Sequence, residues 1–297
     1  MKALITGASG QVGRALQDAM PPGAEVQALT HAQLDISNAA AVRRTIADFS
    51  PTVVINAAAY TAVDRAESEP AAAEAINAAG PRHLAEAVLG LTGARLLQIS
   101  TDYVFDGRGS APRRPDDPTG PLSVYGRSKL AGERAVLELL GNRAVVLRTA
   151  WVYAAAGSNF VLTMLRLMRE RGAVRVVSDQ RGSPTAAASV ARALWRAAAL
   201  PEAHGVLHWT DAGTTNWYEF ACAIAADAQA EGLLARAPEV TPITTAEYPT
   251  PAPRPLNSTL DLTASATQLG MRPVPWRDNL RTTLRALART RQDNPEH

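Results

Sequence analysis

The sequence predicts an α/β fold in which a doubly wound parallel sheet is completed by a smaller C-terminal lobe. Three observations predict this fold. Short apolar or β-branched runs alternate with Ala-rich helical stretches in the first half, as in successive βαβ units. A glycine-rich turn follows the first run, and the alternation becomes less regular after Trp151. We therefore expect residues 1–150 to form the sheet domain and residues 151–297 mainly the lobe, with some segments returning to the sheet.

The first half contains five predicted strands joined by helices. Pro21, Pro22 and Gly23 should end the first helix, because Pro cannot continue it and Gly accepts a left-handed turn. Ser37 or Asn38 is expected to cap the second helix. The strands are expected at 3–6, 25–29, 52–56, 95–100 and 144–148, and the helices are expected to begin near Gln11, Asn38, Pro70 and Tyr125.

The second half is predicted to form a lobe that completes a cleft. Helices are expected at 160–169, 188–200 and 217–227, and strands at 174–177 and 206–209. A Pro-rich stretch follows at 242–255, and residues 291–297 are expected to be a polar tail.

The composition suits a globular enzyme that acts on a small molecule. A chain of 297 residues can bury a full core without a disulfide or a metal, and its single cysteine, Cys222, suits a reducing compartment. The 30 basic and 28 acidic residues disfavour a dedicated nucleic-acid or membrane-surface protein. The N-terminal apolar segment is too short for a signal peptide or a membrane span, so the cytoplasm is expected.

Gly7, Gly10 and Gly13 form a G-x-x-G-x-x-G turn between the first strand and the first helix. Glycine suits this turn because the backbone must bend tightly and approach a pyrophosphate closely. The start of the following helix offers free N–H groups and the positive end of its dipole. An isolated match would often be an ordinary turn, but this placement favours a bound dinucleotide.

The choice between NADPH and NADH depends on the residue after the second strand. A carboxylate there binds the ribose 2′-hydroxyl of NAD, but Thr30 and His31 follow this strand. NADPH is therefore favoured only by the missing carboxylate, and NADH remains the alternative. A few residues on, Asp35 and Ile36 are candidates to bracket the adenine, unless Asp35 merely caps the next helix.

Tyr125 and Lys129 lie four residues apart at the start of a helix, so their side chains project from one face. An ammonium beside a phenol lowers the phenol pKa from about 10, which suits a proton donor to a carbonyl oxygen. The alternative is a surface pair. Thr101, after the fourth strand, can donate to a substrate carbonyl oxygen, and Asp102 can orient a sugar hydroxyl. Both could instead only satisfy the strand end.

Taken together, these motifs resemble the extended short-chain dehydrogenases/reductases, which bind NAD(P) on a Rossmann fold. The resemblance rests on the glycine turn, the segment 100–107 (STDYVFDG) and the pair Tyr125 and Lys129. Further segments narrow the resemblance to the dTDP-4-dehydrorhamnose reductases over nearly the whole chain. These segments are 56–64, 66–70, 148–153, 179–185 and 254–258.

The resemblance implies the NAD(P)H-dependent reduction of dTDP-4-dehydro-β-L-rhamnose to dTDP-L-rhamnose. It implies that Tyr125 donates the proton, that Lys129 assists it, and that Thr101 and Asp102 contact the sugar. Trp151 would form a wall of the sugar pocket, and Arg254 would close over the nucleotide half of the substrate. The residues implied to lie along the dinucleotide are Gly10, Gln11, Val12, Asp35, Ile36, Ala59, Tyr60, Thr61 and Ile99.

No residue is assigned to a metal, although the family resemblance leaves Mg²⁺ as an alternative. Some members of the family form a dimer bridged by Mg²⁺ through a glutamate in the first helix, but here that helix reads Arg14-Ala15-Leu16. Such a dimer is therefore not expected, and a monomer and a homodimer both remain open. His204 and His208 have no third ligand near them in sequence.

Two alternative functions stay open. One is another nucleotide-sugar 4-keto reductase or epimerase of the same fold. The other is a non-catalytic regulatory subunit built on this scaffold, which the intact pair of Tyr125 and Lys129 disfavours.

Overall fold

A six-stranded parallel sheet forms the centre of the fold, which confirms the predicted fold class. The computed structural model describes the backbone of residues 1–293 and the side chains of residues 1–291. The strands of the sheet are β1 (Lys2–Thr6), β2 (Glu25–Leu29), β3 (Val53–Asn56), β4 (Arg95–Thr101), β5 (Ala144–Thr149) and β10 (Gly205–His208). Their order is β10-β5-β4-β3-β1-β2, and every neighbouring pair is parallel.

Helices cover both faces of this sheet. Successive strand residues point to opposite faces, so Leu4 packs into one buried cluster and Ile5 into the other. Burial on both faces explains why the strands are almost uniformly apolar in sequence. The covering helices are α1 (Gln11–Asp18) and α8 (Ala187–Ala199) on one face, and α2 (Ala39–Phe49), α5 (Gly80–Leu89) and α6 (Val124–Leu140) on the other.

Part of the second half returns to the sheet. β10 extends the sheet beside β5, and α8 packs against α1 on the same face. α10 (Thr263–Leu269) contacts both α8 and β10. Some residues after 150 therefore pack on the main sheet rather than in the lobe. The domain boundary at residue 150 itself stays a prediction.

The remaining second half packs around its own buried cluster. The cluster joins α7 (Phe160–Arg171), α9 (Trp217–Ala230) and α11 (Trp276–Asp293) to the parallel pair of β7 (Ala173–Val177) and β12 (Glu239–Ile243). Two short pairs lie nearer the main sheet: β6 (Val152–Tyr153) with β9 (Thr185–Ala186), and β8 (Arg181–Gly182) with β11 (Thr215–Asn216).

The elements of the second half that were not predicted include the short strands β6, β8, β9 and β11, the strand β12, and the helices α10 and α11. β12 contains Pro242, which lacks an N–H and is tolerated because this strand belongs to a two-stranded pair. α11 is polar overall, but Leu280 and Leu284 are fully buried against the lobe. The predicted polar tail is wrong for residues 291–293, which continue α11, and residues 294–297 lie outside the described residues.

The helix expected from Pro70 is interrupted. α3 (Val63–Ser68) and α4 (Pro70–Glu74) lead into a π-helical turn at Ala75–Ala79 before α5 begins. Such turns often occur at functional sites. Among the residues that the structure describes, no helix combines the length and the apolarity needed to cross a membrane.

Candidate active site

The glycine turn lies between β1 and α1 at the carboxyl edge of the sheet. Gly7 has φ +70°, and a Cβ on it would lie 2.5 Å from the amide nitrogen of Ala58. A Cβ on Gly13 would overlap the Gly7 carbonyl oxygen. Two of the three glycines are therefore required by close backbone approach, as the sequence predicts.

The start of α1 is open to an anion. Gly10 is the N-cap and makes no side-chain cap, so the first amides of the helix, at Gln11 and Val12, are left for a ligand. The Gln11 side chain instead bonds Asn159, whose Nδ2 donates to its Oε1 at 3.0 Å. An uncapped helix start behind a tight glycine turn fits a dinucleotide pyrophosphate.

The end of β2 carries no charged group. Thr30 donates its hydroxyl to Gln33 at 2.9 Å, and Asp35 accepts from the Ser37 hydroxyl at 2.7 Å, which lowers the pKa of Asp35. The alternative in which Asp35 caps the next helix is wrong, because Asn38 caps α2. Ile36 is 2% exposed and packs in the core, so only its backbone remains at the edge.

A buried asparagine holds the loop after β3. Asn77, in the π-helical turn, accepts from the Tyr60 amide at 2.9 Å and donates to the Tyr60 carbonyl at 3.0 Å. It also donates to the Ser128 hydroxyl at 3.1 Å. Asn77 therefore links the loop of Ala59, Tyr60 and Thr61 to helix α6, on the helix turn that joins Tyr125 to Lys129.

Helix α6 begins where the sequence predicts. Ser123 caps it by accepting from the Gly126 amide at 3.1 Å. The half-buried ring of Tyr125 packs edge-on against Tyr103, with the ring centroids 5.5 Å apart. Burial raises the pKa of Tyr125 to about 12, and the Thr101 hydroxyl opposes this rise. The phenol is therefore protonated at neutral pH, which suits a proton donor.

Lys129 lies one turn further along α6 and is 4% exposed. Its Nζ donates to the Ile99 carbonyl at 2.6 Å, and burial lowers the pKa of Lys129 to about 8. The expectation that this ammonium lowers the phenol pKa of Tyr125 is not met in this structure. The reason is that burial dominates the Tyr125 environment, while the ammonium is held by a backbone carbonyl.

Thr101 and Asp102 end β4 close to Tyr125. The Thr101 hydroxyl donates to Asp102 Oδ1 at 3.0 Å and accepts from the Tyr103 amide at 3.2 Å, so it also satisfies the strand end. Asp102 Oδ2 is buried without a hydrogen-bond partner. Burial raises the pKa of Asp102 to about 6, against the effect of the Ser258 and Thr101 hydroxyls. An unpaired buried carboxylate oxygen beside a phenol is suited to receive a ligand hydroxyl.

A cavity of about 850 Å³ lies between α7, β7 and β12 of the lobe on one side and Asp64, Tyr103 and Arg254 on the other. Thr101, Asp102 and Tyr125 do not line it. Trp217 lines it and stacks on Trp151, with ring centroids 3.6 Å apart and planes 12° apart. Trp151 itself has φ +50°, a conformation that a bulky residue rarely adopts. Trp151 does not line the cavity itself, but its indole stacks on Trp217, which does. The pocket-wall role of Trp151 therefore stays a prediction.

The indole of Trp151 lies directly over Gly182. A Cβ there would lie 2.5 Å from Trp151 Cε2, so Gly182→Ala is expected to displace the indole. We expect the KM for the sugar nucleotide to rise about tenfold, the size of one lost aromatic contact, while NADPH affinity stays unchanged. Steady-state kinetics and a fluorescence titration measure the two quantities. An unchanged KM would remove Trp151 from the pocket wall.

Arg254 lines the same cavity. Its Nη2 donates to Asp64 Oδ2 at 2.7 Å, while its Nη1 is buried without a hydrogen-bond partner. One face of the guanidinium is thus fixed by Asp64, and the other is unsatisfied. This arrangement suits a bound phosphate.

Sequence reasoning gave no role to two residues of this region, Asn77 and Asp64, and it does not decide whether Trp217 lies in the core or in the cleft. Asn77 did carry a signal, because a lone Asn is a poor helix former within an Ala-rich helix. The roles of Trp217 and Asp64 depend on contacts across the chain. Asp64 did stand within the segment 56–64 that carries the family resemblance. His204 and His208 do not form a ligand set: His208 bonds the Arg113 carbonyl in the core, and His204 bonds the Glu202 carbonyl at the surface.

The fold and the site together define an NAD(P)-binding reductase of the extended short-chain class. A family model described as the RmlD substrate binding domain matches residues 1–289, so the chain belongs to that family. The chain is 44% identical over 292 residues to dTDP-4-dehydrorhamnose reductase of Aggregatibacter actinomycetemcomitans, covering 96% of this chain and 98% of the relative.

Two further similarities bear on substrate and cofactor. The chain is 44% identical to a protein of Streptomyces antibioticus named as a probable dTDP-4,6-dihydroxy-2-methyloxan-3-one 4-ketoreductase, covering 88% of this chain and 86% of that one. The fold of the present chain matches a crystal structure of dTDP-4-dehydrorhamnose reductase from Bacillus anthracis in complex with NADP. The TM-score is 0.89 at 36% identity, covering 95% of this chain and 98% of the other.

Proposed function

We propose that this protein reduces the 4-keto group of dTDP-4-dehydro-β-L-rhamnose to give dTDP-L-rhamnose, with NADPH as the reductant and NADH as the alternative. The observation that carries the proposal is the convergence of Tyr125, Thr101 and Asp102 at the carboxyl edge of the sheet, beside the glycine turn. The names of the relatives support the substrate and the cofactor.

The chain's own residues supply the proton and the orientation. NADPH, when bound, supplies a hydride to the 4-keto carbon. Tyr125 would give its phenolic proton to the oxygen that gains charge. The Thr101 hydroxyl, which donates to Asp102 in this structure, would turn to donate a hydrogen bond to the same oxygen. Asp102 binds a sugar hydroxyl through its unpaired Oδ2. Lys129, whose Nζ donates to the Ile99 carbonyl in this structure, would bind the ribose hydroxyls of the cofactor and assist the proton transfer through them.

The cofactor is proposed to lie along the edge from the glycine turn to α6. Gly7, Gly10 and Gly13 would approach its pyrophosphate, and Thr30 would lie near the adenosine ribose. With no carboxylate there, a 2′-phosphate is not repelled, which favours NADPH. The other residues proposed along the cofactor are Gln11, Val12, Asp35, Ile36, Ala59, Tyr60, Thr61 and Ile99.

The dTDP part of the substrate is proposed to occupy the cavity beside Arg254. Arg254→Gln should weaken the binding of dTDP about tenfold or more, because a charge-assisted hydrogen bond is lost. Calorimetric titration with dTDP measures this. Arg166→Gln is the control, since Arg166 pairs with Glu170 at the surface of α7. Equal affinities in the Arg254 variant and the control would place the phosphates elsewhere.

The proposed activity is tested with the keto sugar generated in situ. The purified protein should oxidise NADPH, and NMR should show dTDP-L-rhamnose as the product. A second candidate is the reduction of a related dTDP-linked keto sugar, which the Streptomyces antibioticus relative favours. Turnover of such a sugar without turnover of dTDP-4-dehydro-β-L-rhamnose would select it, and no oxidation with either sugar would leave the regulatory-subunit alternative.

We also propose that the protein acts in the cytoplasm as a monomer or a homodimer. The single Cys222 suits a reducing compartment. Sedimentation equilibrium would distinguish the two oligomeric states.

A further inference from the structure

A buried carboxylate lies next to Lys129 on helix α6. Tyr125, Lys129 and Glu133 are spaced by one turn each, so all three lie on one face of the helix. Glu133 is 1% exposed and Lys129 is 4% exposed. The catalytic face of α6 therefore continues into the interior as a row of polar groups.

Glu133 is held by a forked ion pair. Arg148, on β5, donates from Nε to Glu133 Oε1 at 3.0 Å and from Nη2 to Oε2 at 2.8 Å. Arg148 also donates to the Pro115 carbonyl at 3.1 Å and lies over the Phe105 ring, 5.0 Å from its centroid. The Pro115 and Phe105 contacts hold the guanidinium in place, and the forked bonds in turn fix the position of the carboxylate.

Stability alone does not account for such a pair. Replacing a buried ion pair by apolar residues of similar volume is often neutral or stabilising, because two charges must be desolvated. A buried carboxylate one turn from a buried ammonium has a different consequence, since it favours the charged form of that ammonium.

We propose that Glu133 is a positioning residue that keeps the Lys129 side chain charged at the bottom of the active site, with Arg148 fixing the carboxylate in place. This inference rests on the proposed function only for the role of Lys129 itself. Burial lowers the pKa of Lys129 to about 8, and Glu133 opposes that fall. Without Glu133, the pKa of Lys129 should fall further, and the ammonium would lose its proton near neutral pH.

Other ionisable groups lie around this part of α6. Glu67, on α3, accepts from the Val124 amide at the start of the helix, at 2.8 Å. Three further elements contribute uncharged buried residues. These are Ala73 from α4, Asn77 from the π-helical turn, and the apolar Pro81 and Leu84 from α5. The other ionisable groups near this part of α6 are Asp102 and Tyr103 after β4 and Arg148 on β5. Tyr125 lies on α6 itself. Glu133 is the carboxylate that acts on the pKa of Lys129.

The composition of the chain allows a direct test. Lys2 and Lys129 are the two lysines of the sequence, so protein labelled with ¹³C at lysine Cε gives two signals. The shift of each signal follows the loss of the ammonium proton as the pH rises. Lys2, which begins β1 and pairs with Glu25, serves as the reference within the same sample.

Glu133→Gln is expected to lower the titration midpoint of Lys129 by about one pH unit and to leave that of Lys2 unchanged. Glu133→Asp keeps the charge on a shorter side chain and should leave the Lys129 midpoint within a few tenths of a unit of wild type, even where it unfolds at lower temperature. Asp211→Asn removes a buried carboxylate in another part of the fold and should leave both midpoints unchanged.

An unchanged Lys129 midpoint in Glu133→Gln, or equal shifts in the Gln and Asp variants, would overturn the proposal. If Glu133→Gln does not fold, the double variant Glu133→Gln/Arg148→Gln also removes the guanidinium that would lose its partner, and it decides the question. Its Lys129 midpoint should still fall, by less than one unit, and no fall would contradict the proposal.

Activity separates this inference from the proposed function. The alkaline limb of kcat/KM for keto-sugar reduction should move down with the Lys129 midpoint in Glu133→Gln and stay in place in Glu133→Asp. The NMR titration needs no substrate, so wild-type protein that turns over no keto sugar would contradict the proposed function and leave the titration result standing.

Discussion

Replacing Tyr125 by Phe is expected to lower kcat about 10²-fold or more, because the reaction loses its general acid. The ring and its edge-on contact with Tyr103 remain, so the pocket keeps its shape. NADPH affinity should stay close to that of the wild type. Stopped-flow measurement of NADPH oxidation gives the rate, and a fluorescence titration gives the affinity.

Tyr153→Phe is the matched control for this substitution. Tyr153 is 1% exposed in the core of the lobe, and its hydroxyl makes a long contact, 3.5 Å from the Trp276 carbonyl. Its loss should leave kcat unchanged. Full turnover by the Tyr125 variant would show that the proton comes from another group, and Asp102, the nearest carboxylate named in the site, would be examined next.

Replacing Gly13 by Val is expected to weaken NADPH binding roughly 10²-fold, the upper range of what overpacking costs in a close-packed site. A Cβ at this position overlaps the Gly7 carbonyl, so the glycine turn must move away from the start of α1. The phosphate-binding amides would then no longer converge. Fluorescence titration with NADPH gives the affinity, and circular dichroism reports whether the fold is retained.

Gly90→Ala serves as the control for the Gly13 substitution. Gly90 ends α5 with φ −72°, and an added Cβ would meet its nearest atom, the Ala87 carbonyl oxygen, at 3.5 Å. This variant should bind NADPH like the wild type. Retained affinity in a folded Gly13→Val protein would show that the cofactor does not lie over the glycine turn.

Local patterns predicted the elements around the main sheet but not all of those in the lobe. The five strands and the glycine turn were predicted because each is fixed by a run of apolar residues or by a steric need within a few positions. β12 was not predicted because it contains Pro242, and proline is uncommon within strands. α11 was not predicted because most of its residues are polar, although Leu280 and Leu284 are buried. These elements are stabilised by partners that are distant in sequence.

The candidate site divides in the same way. Tyr125 and Lys129 share a face because four residues make about one helical turn. That spacing alone does not determine whether the ammonium lowers the pKa of the phenol. The tertiary structure directs Lys129 to the Ile99 carbonyl and buries Tyr125, so the pKa of the phenol rises to about 12.

The sequence by itself determined the fold class, the glycine turn and the identity of the groups that can move a proton, because helical and strand periodicity place them at one edge of the sheet. Only the tertiary structure decided the stacking of Trp217 on Trp151, the tether of Arg254 to Asp64 and the forked pair behind Lys129. Each of these contacts joins segments far apart in the chain, and their charges and shapes acquire a role only when burial removes water from between them.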